Sequence, residues 1–185
     1  MIFKMCTFLS WVIKVFLVCL FVLTQVSGNT SSVLYTSEVK PPKSSNILNY
    51  DGKTYFFSTS IKANFYAAHH FCRQQGMQLL TINSEAENHK ISEFATNIGH
   101  GVETFWTSGT DLAKPKFFIW LSNGSPFTYQ RWSNLEPTGL SGDGYRHIEN
   151  CVELQRDSKL NDFTWNDRYC LDEMNFICEK YNTIC

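Results

Sequence analysis

Five oxygen-bearing side chains recur in a compact order in the C-terminal half of the chain. They are Glu136 and Thr138 around Pro137, Glu149 two residues before a cysteine, and Asn166-Asp167 after a tryptophan. Carboxylate, amide and hydroxyl oxygens are the hard ligands that calcium prefers. Because calcium accepts about 6 to 8 oxygens, such a set leaves coordination positions for the hydroxyls of a ligand. The pattern predicts a calcium site through which a sugar can be bound.

The segments before these residues are predicted to form strands and a first helix. The stretch YDGKTYFFS alternates aromatic and polar residues, which predicts a strand, and MQLLTI predicts a second, apolar strand. Between them, one helical face carries Phe65, Ala68, His69 and Cys72, and Gly76 ends the helix. The first helix therefore has a cysteine on its buried side.

A second helix is predicted from Ser84 to Gly99. Ser84 and Glu87 have the spacing of a capping box. The apolar positions that follow have helical spacing: Ile91, Phe94, Ala95 and Ile98. After about residue 100 the chain consists of short strands, glycine turns and long polar loops. These features predict an α+β fold in which the calcium-binding residues, Asp167 included, lie on loops outside the packed core.

Charge and motifs argue against several classes of function. The formal net charge is −1, so there is no basic surface for nucleic acid. No Gly-x-Ser-x-Gly, His-Glu-x-x-His or Walker pattern is present. His69 and His70 are adjacent on a helix and cannot both face one metal ion, and His147 is expected to be a loop residue. The chain is not expected to be an enzyme.

The N-terminal residues 1–28 have the features of a secretory signal peptide. Lys4 and Lys14 precede an apolar run from Val15 to Leu23, which is far shorter than the roughly 20 residues of a membrane span. A retained signal anchor is the alternative. Residues 29–46 are predicted to be a linker, residues 47–181 a single domain and residues 182–185 a tail. After signal cleavage we expect a secreted, extracellular protein with no membrane insertion.

Export makes disulfide bonds the expected state of the remaining cysteines, which are Cys72, Cys151, Cys170, Cys178 and Cys185. Counting alone leaves several pairings open. An odd number leaves one cysteine over, and Cys185 at the terminus could link two chains as a homodimer.

Two Asn-x-Ser/Thr sequons are candidates for N-glycosylation, at Asn29 and Asn123. The dipeptide Asn123-Gly124 between apolar flanks also predicts a hairpin turn. The turn and the glycan are independent predictions.

Several motifs together resemble one family. The segments FCRQQGMQLLTINSEAEN, WSNLEPTG, ENCVEL, TWNDRYC and NFICEK follow the order found in C-type lectin domains, over about Tyr50 to Lys180. The compact form is similar to small secreted insect C-type lectins. The resemblance implies a C-type lectin-like fold, with two helices packed on antiparallel sheets and a long loop region. It also implies two disulfides, Cys72–Cys178 and Cys151–Cys170.

The same resemblance assigns roles to the oxygen-bearing residues. It implies that the calcium ligands are Glu136, Thr138, Glu149, Asn166 and Asp167. It implies that sugar contacts come from Glu136, Thr138, Glu149 and Asn166, with Tyr145 or Trp132 as an aromatic support. A flexible loop with a half-exposed Tyr145 is the alternative.

The chain departs from the family pattern in the loop GLSGDGYRHI, which carries Tyr145, and at two further places. Glu-Pro-Thr stands where mannose-type members have Glu-Pro-Asn and galactose-type members have Gln-Pro-Asp, so the preference between the two sugars is open. The auxiliary calcium site of the family has Asp111, but a carboxylate is missing after it and Asn150 replaces an acid, so we expect no calcium there. The resemblance implies a calcium-dependent lectin for hexose glycans on cell or microbial surfaces, of the kind used in innate recognition. A lectin-like domain that binds a protein without calcium or sugar is the alternative.

Overall fold

The computed structural model describes residues 46–140 and 148–182. In chain order the elements are β1 (Ile47–Tyr50), β2 (Lys53–Ala63), α1 (Phe65–Gln74), β3 (Gln78–Leu79), α2 (Glu85–Asn97), β4 (Phe105–Thr110), β5 (Ile119–Trp120), β6 (Cys151–Asp157), β7 (Asp162–Arg168) and β8 (Met174–Tyr181). Two helices and a sheet confirm the α+β class. In these described residues no helix is both long enough and apolar enough to cross a bilayer.

The strands form one sheet in the order β1-β2-β8-β4-β6-β7, with β3 added beside β8 and β5 beside β4. All of the strand pairs are antiparallel except β4 with β8, which run parallel. The sheet is therefore mixed, whereas antiparallel sheets were expected. Strand β7 is last in this order, so one of its edges is open to the loops of the C-terminal half.

Both predicted helices form, and their N-termini follow the capping rules. In α1 the Asn64 side chain accepts from the backbone N–H of Ala67. In α2 the Ser84 hydroxyl accepts from the backbone N–H of Glu87 at 3.2 Å, as the capping box predicts. The reciprocal bond is absent among the described contacts, because the Glu87 carboxylate accepts from the Asn83 N–H and from Lys53 instead.

The predicted strands occur in the segments that the sequence indicates, but their lengths differ from the prediction. The stretch YDGKTYFFS was expected to be one strand, but Asp51 (φ 48°) and Gly52 (φ 72°) form the turn of the β1–β2 hairpin. Two residues with positive φ are the signature of a type I′ turn, which favours Asp-Gly. Of MQLLTI, only Gln78–Leu79 is regular strand. Asn123 lies in a turn as predicted, with the Gly124 N–H donating to the Trp120 carbonyl at 2.7 Å.

Two disulfides link the elements, and they confirm the pairing that the resemblance implies. Cys72–Cys178 joins α1 to β8. Cys151–Cys170 joins the start of β6 to the segment after β7. The second bond joins the start of β6, two residues after Glu149, to the segment that follows Asn166 and Asp167 in β7.

Some predictions concern residues outside the described ranges. The signal peptide of residues 1–28, almost all of the linker, Asn29, Tyr145, His147 and Cys185 belong to this group. The described residues do not test them, so they stay predictions.

Candidate functional site

The Glu136–Thr138 loop begins beside the open edge of β7. The Ser133 N–H donates to the Trp165 carbonyl, and the Trp165 N–H donates to the Arg131 carbonyl, both at 2.8 Å. These two bonds form a short parallel bridge between residues 131–133 and β7. The Glu136–Pro137 peptide bond that follows is cis. The loop is thereby placed next to Trp165, and so next to Asn166 and Asp167.

Asp167 holds this loop through its carboxylate. It lies in β7 with 1% of its surface exposed, so the expectation that it lies on a loop outside the packed core was wrong. Its Oδ1 accepts from the Thr138 N–H at 3.1 Å, and its Oδ2 accepts from the Gly139 N–H at 2.6 Å. The Thr138 N–H also donates to Glu136 Oε2 at 2.9 Å. Asp167 and Glu136 therefore share a donor and face one another.

Thr138 takes part in the site through its backbone rather than its side chain. Its hydroxyl donates to the Leu140 carbonyl at 3.0 Å, which turns the side chain toward its own loop. Its predicted role as a side-chain calcium and sugar ligand remains a prediction.

Glu149 reaches the same region from the other side of the loop. Its N–H donates to the Gly139 carbonyl at 3.3 Å, and 8% of the residue is exposed. The next residue, Asn150, donates its N–H to the Arg168 carbonyl at 3.2 Å, where β6 begins to pair with β7. The Gly139 N–H thus bonds to the Asp167 carboxylate, and the Gly139 carbonyl bonds to the Glu149 N–H.

Asn166 is held by a residue that the sequence analysis did not identify. Glu153 lies opposite Asn166 in the β6–β7 register and is 3% exposed. Its Oε1 accepts from the Asn166 Nδ2 at 3.0 Å. Within the described residues, the amide oxygen of Asn166 accepts no hydrogen bond. The signal for Glu153 was its place in ENCVEL, with its buried side chain between apolar residues.

The carboxylates of the site carry more negative charge than their surroundings compensate. Burial, together with the charge of Asp167, raises the pKa of Glu149 to about 7. Burial and a hydrogen bond with Glu136 raise the pKa of Asp167 to about 6, although the Gly139 and Thr138 N–H groups oppose this shift. Burial also raises the pKa of Glu153. Arg168 opposes the shifts of Glu149 and Glu153, but it already forms an ion pair with Asp172 at 2.6 Å.

The chemistry of these donors fits a divalent cation. Buried carboxylates with raised pKa values are stabilised by a positive charge, and an amide oxygen is a neutral hard ligand. Glu136 and Asp167 share the Thr138 N–H, and Glu149 interacts with Asp167 through charge. Across residues 46–140 and 148–182, however, no three acidic, histidine or cysteine side chains form a ready-made cluster.

The position of the family's auxiliary calcium is filled by hydrogen bonds. Asp111 is 6% exposed, and its Oδ1 accepts from the Asn150 side chain at 2.7 Å. Its Oδ2 accepts from the Lys116 N–H, also at 2.7 Å. Both carboxylate oxygens therefore have donors. These bonds support the expectation of no calcium there, which remains a prediction.

The other candidate residues lie away from this cluster or on its border. Trp132 is half-buried, and its ring packs against Trp165 at 6.0 Å between centroids. His69 is half-buried in α1, where burial lowers its pKa to about 4, and His70 is exposed. Asn123 is exposed, as a glycosylation site must be, but its use as one remains a prediction.

A family model and several known proteins match this chain. The model described as lectin C-type domain matches residues 61–180. The Lectin subunit alpha of Sarcophaga peregrina is 30% identical over 154 residues, which are 80% of this chain and 50% of that protein. Salivary C-type lectin 2 of Aedes albopictus is 32% identical over 123 residues, or 64% of this chain and 78% of that protein. The chain thus spans only half the length of the Sarcophaga relative.

Among solved structures, the carbohydrate-recognition domain of the mouse scavenger receptor C-type lectin is similar to this fold. Its TM-score is 0.63 and its sequence identity 32%, over 75% of this chain and 97% of that domain.

Proposed function

The chain belongs to the C-type lectin domain family, and on that premise we propose that it is a calcium-dependent lectin that binds hexose glycans. The family is one of binding proteins and not of enzymes. We assign the lectin domain to residues 47–181 and propose that it is secreted and meets glycans on cell or microbial surfaces. The observation that carries the proposal is that Asp167 shares the Thr138 N–H with Glu136. Gly139 joins the same carboxylate to Glu149, whose pKa is raised by burial and by the charge of Asp167.

Each residue of the site has a distinct part in this proposal. Glu136, Glu149, Asn166 and Asp167 would hold the calcium ion, whose remaining coordination positions would accept sugar hydroxyls. The carboxylate oxygens of Glu136 and Glu149 can accept hydrogen bonds from the same hydroxyls. The Asn166 amide has a second N–H beyond the one donated to Glu153, and that N–H can reach a hydroxyl oxygen. Asp167 keeps the loop in place.

The site supports hexoses without deciding between mannose and galactose types. Glu136 leans toward the mannose type by resemblance. Thr138 offers no amide donor, and its hydroxyl is already bonded to Leu140. Of the two residues beside Pro137 that separate the sugar classes, only Glu136 therefore matches a family pattern.

The test is a glycan array probed with and without a calcium chelator, together with calorimetric titration of calcium. We expect hexose binding that is lost in chelator and restored by excess calcium. Asp167→Asn should abolish both calcium and sugar binding. Asp157→Asn is the matched control, because Asp157 also accepts from two backbone N–H groups but lies at the other end of β6, before the turn to β7. Sugar binding that persists in chelator would refute the metal-bridged mechanism.

A second candidate function is protein recognition without calcium or sugar. The observations that favour it are the Thr138 hydroxyl turned toward Leu140 and the lack of a ready-made three-acid cluster in the described residues. A protein with no measurable calcium binding and an empty glycan array would support this candidate over the first.

A further inference from the structure

A groove with aromatic walls shares Pro137 with the loop of the proposed calcium site. Its volume is about 260 Å³, and it is lined by Lys116, Phe117, Phe118, Pro126, Phe127, Gln130, Trp132 and Pro137. Pro137 stands between Glu136 and Thr138, so the groove and the proposed calcium site are formed by the same loop. Pockets for drug-sized ligands measure about 300–1,000 Å³, so this groove suits a smaller group of about one ring.

Aromatic side chains form a rigid wall in this groove. The Trp132 ring lies 4.7 Å from Phe118 and 6.2 Å from Phe127, between ring centroids. Trp132 also packs on the fully buried Trp165. At the rim, Phe117 is 50% exposed, with the Lys114 ammonium 5.5 Å from its ring centroid. Fixed rings lose little conformational entropy when a ligand packs on them, and this favours binding.

Polar groups stand next to these rings. The Oε1 of Gln130 accepts from the Trp132 indole N–H at 2.9 Å, so its amide N–H groups are left to bond a ligand. Lys116 is exposed and has no ion pair with any residue in the described ranges. Its backbone N–H is bonded to Asp111, which also binds the Asn150 side chain next to Glu149. The rim of the groove is thereby tied to the segment that carries a proposed calcium ligand.

We propose that this aromatic groove binds the second pyranose unit of a glycan whose first unit occupies the site at Glu136 and Asp167. A pyranose ring has an apolar face of C–H groups that packs on aromatic rings and an edge of hydroxyls that bonds to amide and ammonium donors. Both surfaces find partners here, and Pro137 places the groove on the same loop as the first site. The inference rests on the proposed function and specifies its ligand as an oligosaccharide.

The test compares monosaccharides with disaccharides as inhibitors of binding to an immobilised glycan. The probes are methyl α-mannoside and methyl β-galactoside, with the full sets of mannobioses and galactobioses. We expect at least one disaccharide to bind about tenfold more tightly than its monosaccharide, and Phe117→Ala to reduce that ratio to about threefold or less. Tyr66→Ala is the matched control, because Tyr66 is 49% exposed and lies on α1.

The outcomes separate this inference from the proposed function. Monosaccharide affinity unchanged in Phe117→Ala, with a reduced disaccharide advantage, supports the groove. An equal loss for both probes, an equal effect of Tyr66→Ala, or no disaccharide advantage in the unaltered protein overturns it, while calcium-dependent monosaccharide binding leaves the proposed function intact. If no sugar binds at all, both fall together, and calcium titration then shows whether the metal site survives.

Discussion

Binding of calcium should release protons from the site, in a number that depends on pH. The folded-state pKa values of Glu149, about 7, and Asp167, about 6, both exceed those of ordinary carboxyl groups. A protonated carboxyl is a poor calcium ligand, so the ion must displace any proton that these groups hold. The sign follows directly: calcium affinity should be highest above these pKa values and should be lost as the pH falls through them.

The magnitude can be worked from the two pKa values. At about pH 6.5, about three-quarters of Glu149 and about one-quarter of Asp167 carry a proton, so each bound calcium ion releases about one proton. At about pH 8 both groups are almost fully ionised, and the release falls to about 0.1 proton. Most of the effect near neutral pH therefore comes from Glu149.

The assay is isothermal titration of calcium in pairs of buffers with different ionisation enthalpies. MES and bis-Tris serve at the lower pH, and HEPES and Tris at the higher. The slope of observed enthalpy against buffer enthalpy gives the number of protons released. Glu149→Gln should bind calcium more weakly and release only about 0.25 proton at about pH 6.5, which is the share of Asp167. Asp157→Asn should match the unaltered protein. Tight binding without buffer dependence at the lower pH would refute the reasoning.

Four further substitutions test other parts of the structure. Glu153→Leu removes the acceptor that orients Asn166. Loss of such an outer-sphere partner should weaken calcium binding about tenfold by titration. An unchanged calcium affinity would exclude this orienting role of Glu153. Lys53→Met leaves two buried glutamates without a positively charged partner and should lower the free energy of unfolding, measured in urea, by about 3–5 kcal/mol. Lys90→Met, at an exposed ion pair, should change it by less than about 1 kcal/mol. Thr138→Asn should strengthen mannose-type binding on an array, and a gain for galactose instead would assign the preference to other residues. Cys185→Ser should convert a covalent dimer to a monomer on a non-reducing gel; a monomer before and after would refute the dimer.

The helices were predictable because their signals are local. Ser84 and the apolar periodicity act within a few residues, and α2 begins directly after Ser84, as its capping box indicates. The Asp51-Gly52 turn had an equally local signal, since Asp-Gly is a preferred hairpin dipeptide. It was missed because aromatic alternation continues on both sides of the turn and the segment was interpreted as one strand.

The features that could not be predicted depend on contacts between distant segments. Lys53 binds Glu87 at 2.8 Å and Glu179 at 3.0 Å, and these three residues come from β2, α2 and β8. No local pattern indicates that such charges will be buried together. The hydrogen bond of Glu153 to Asn166 likewise depends on the β6–β7 register.

The position of Asp167 also explains how one side chain can anchor the loop and still bind a cation. The sequence predicts a loop position for Asp167 because long polar loops follow residue 100, but β7 pairing buries it and its carboxylate bonds to the loop. Each carboxylate oxygen has two lone pairs, and the Thr138 and Gly139 N–H groups occupy one on each oxygen. One lone pair per oxygen is therefore left for a metal ion. The same two donors oppose the rise in the Asp167 pKa, which keeps the group closer to the ionised form that calcium requires. The loop and the proposed metal site thus reinforce each other: the loop N–H groups favour the charged carboxylate, and that carboxylate holds the loop that carries Glu136.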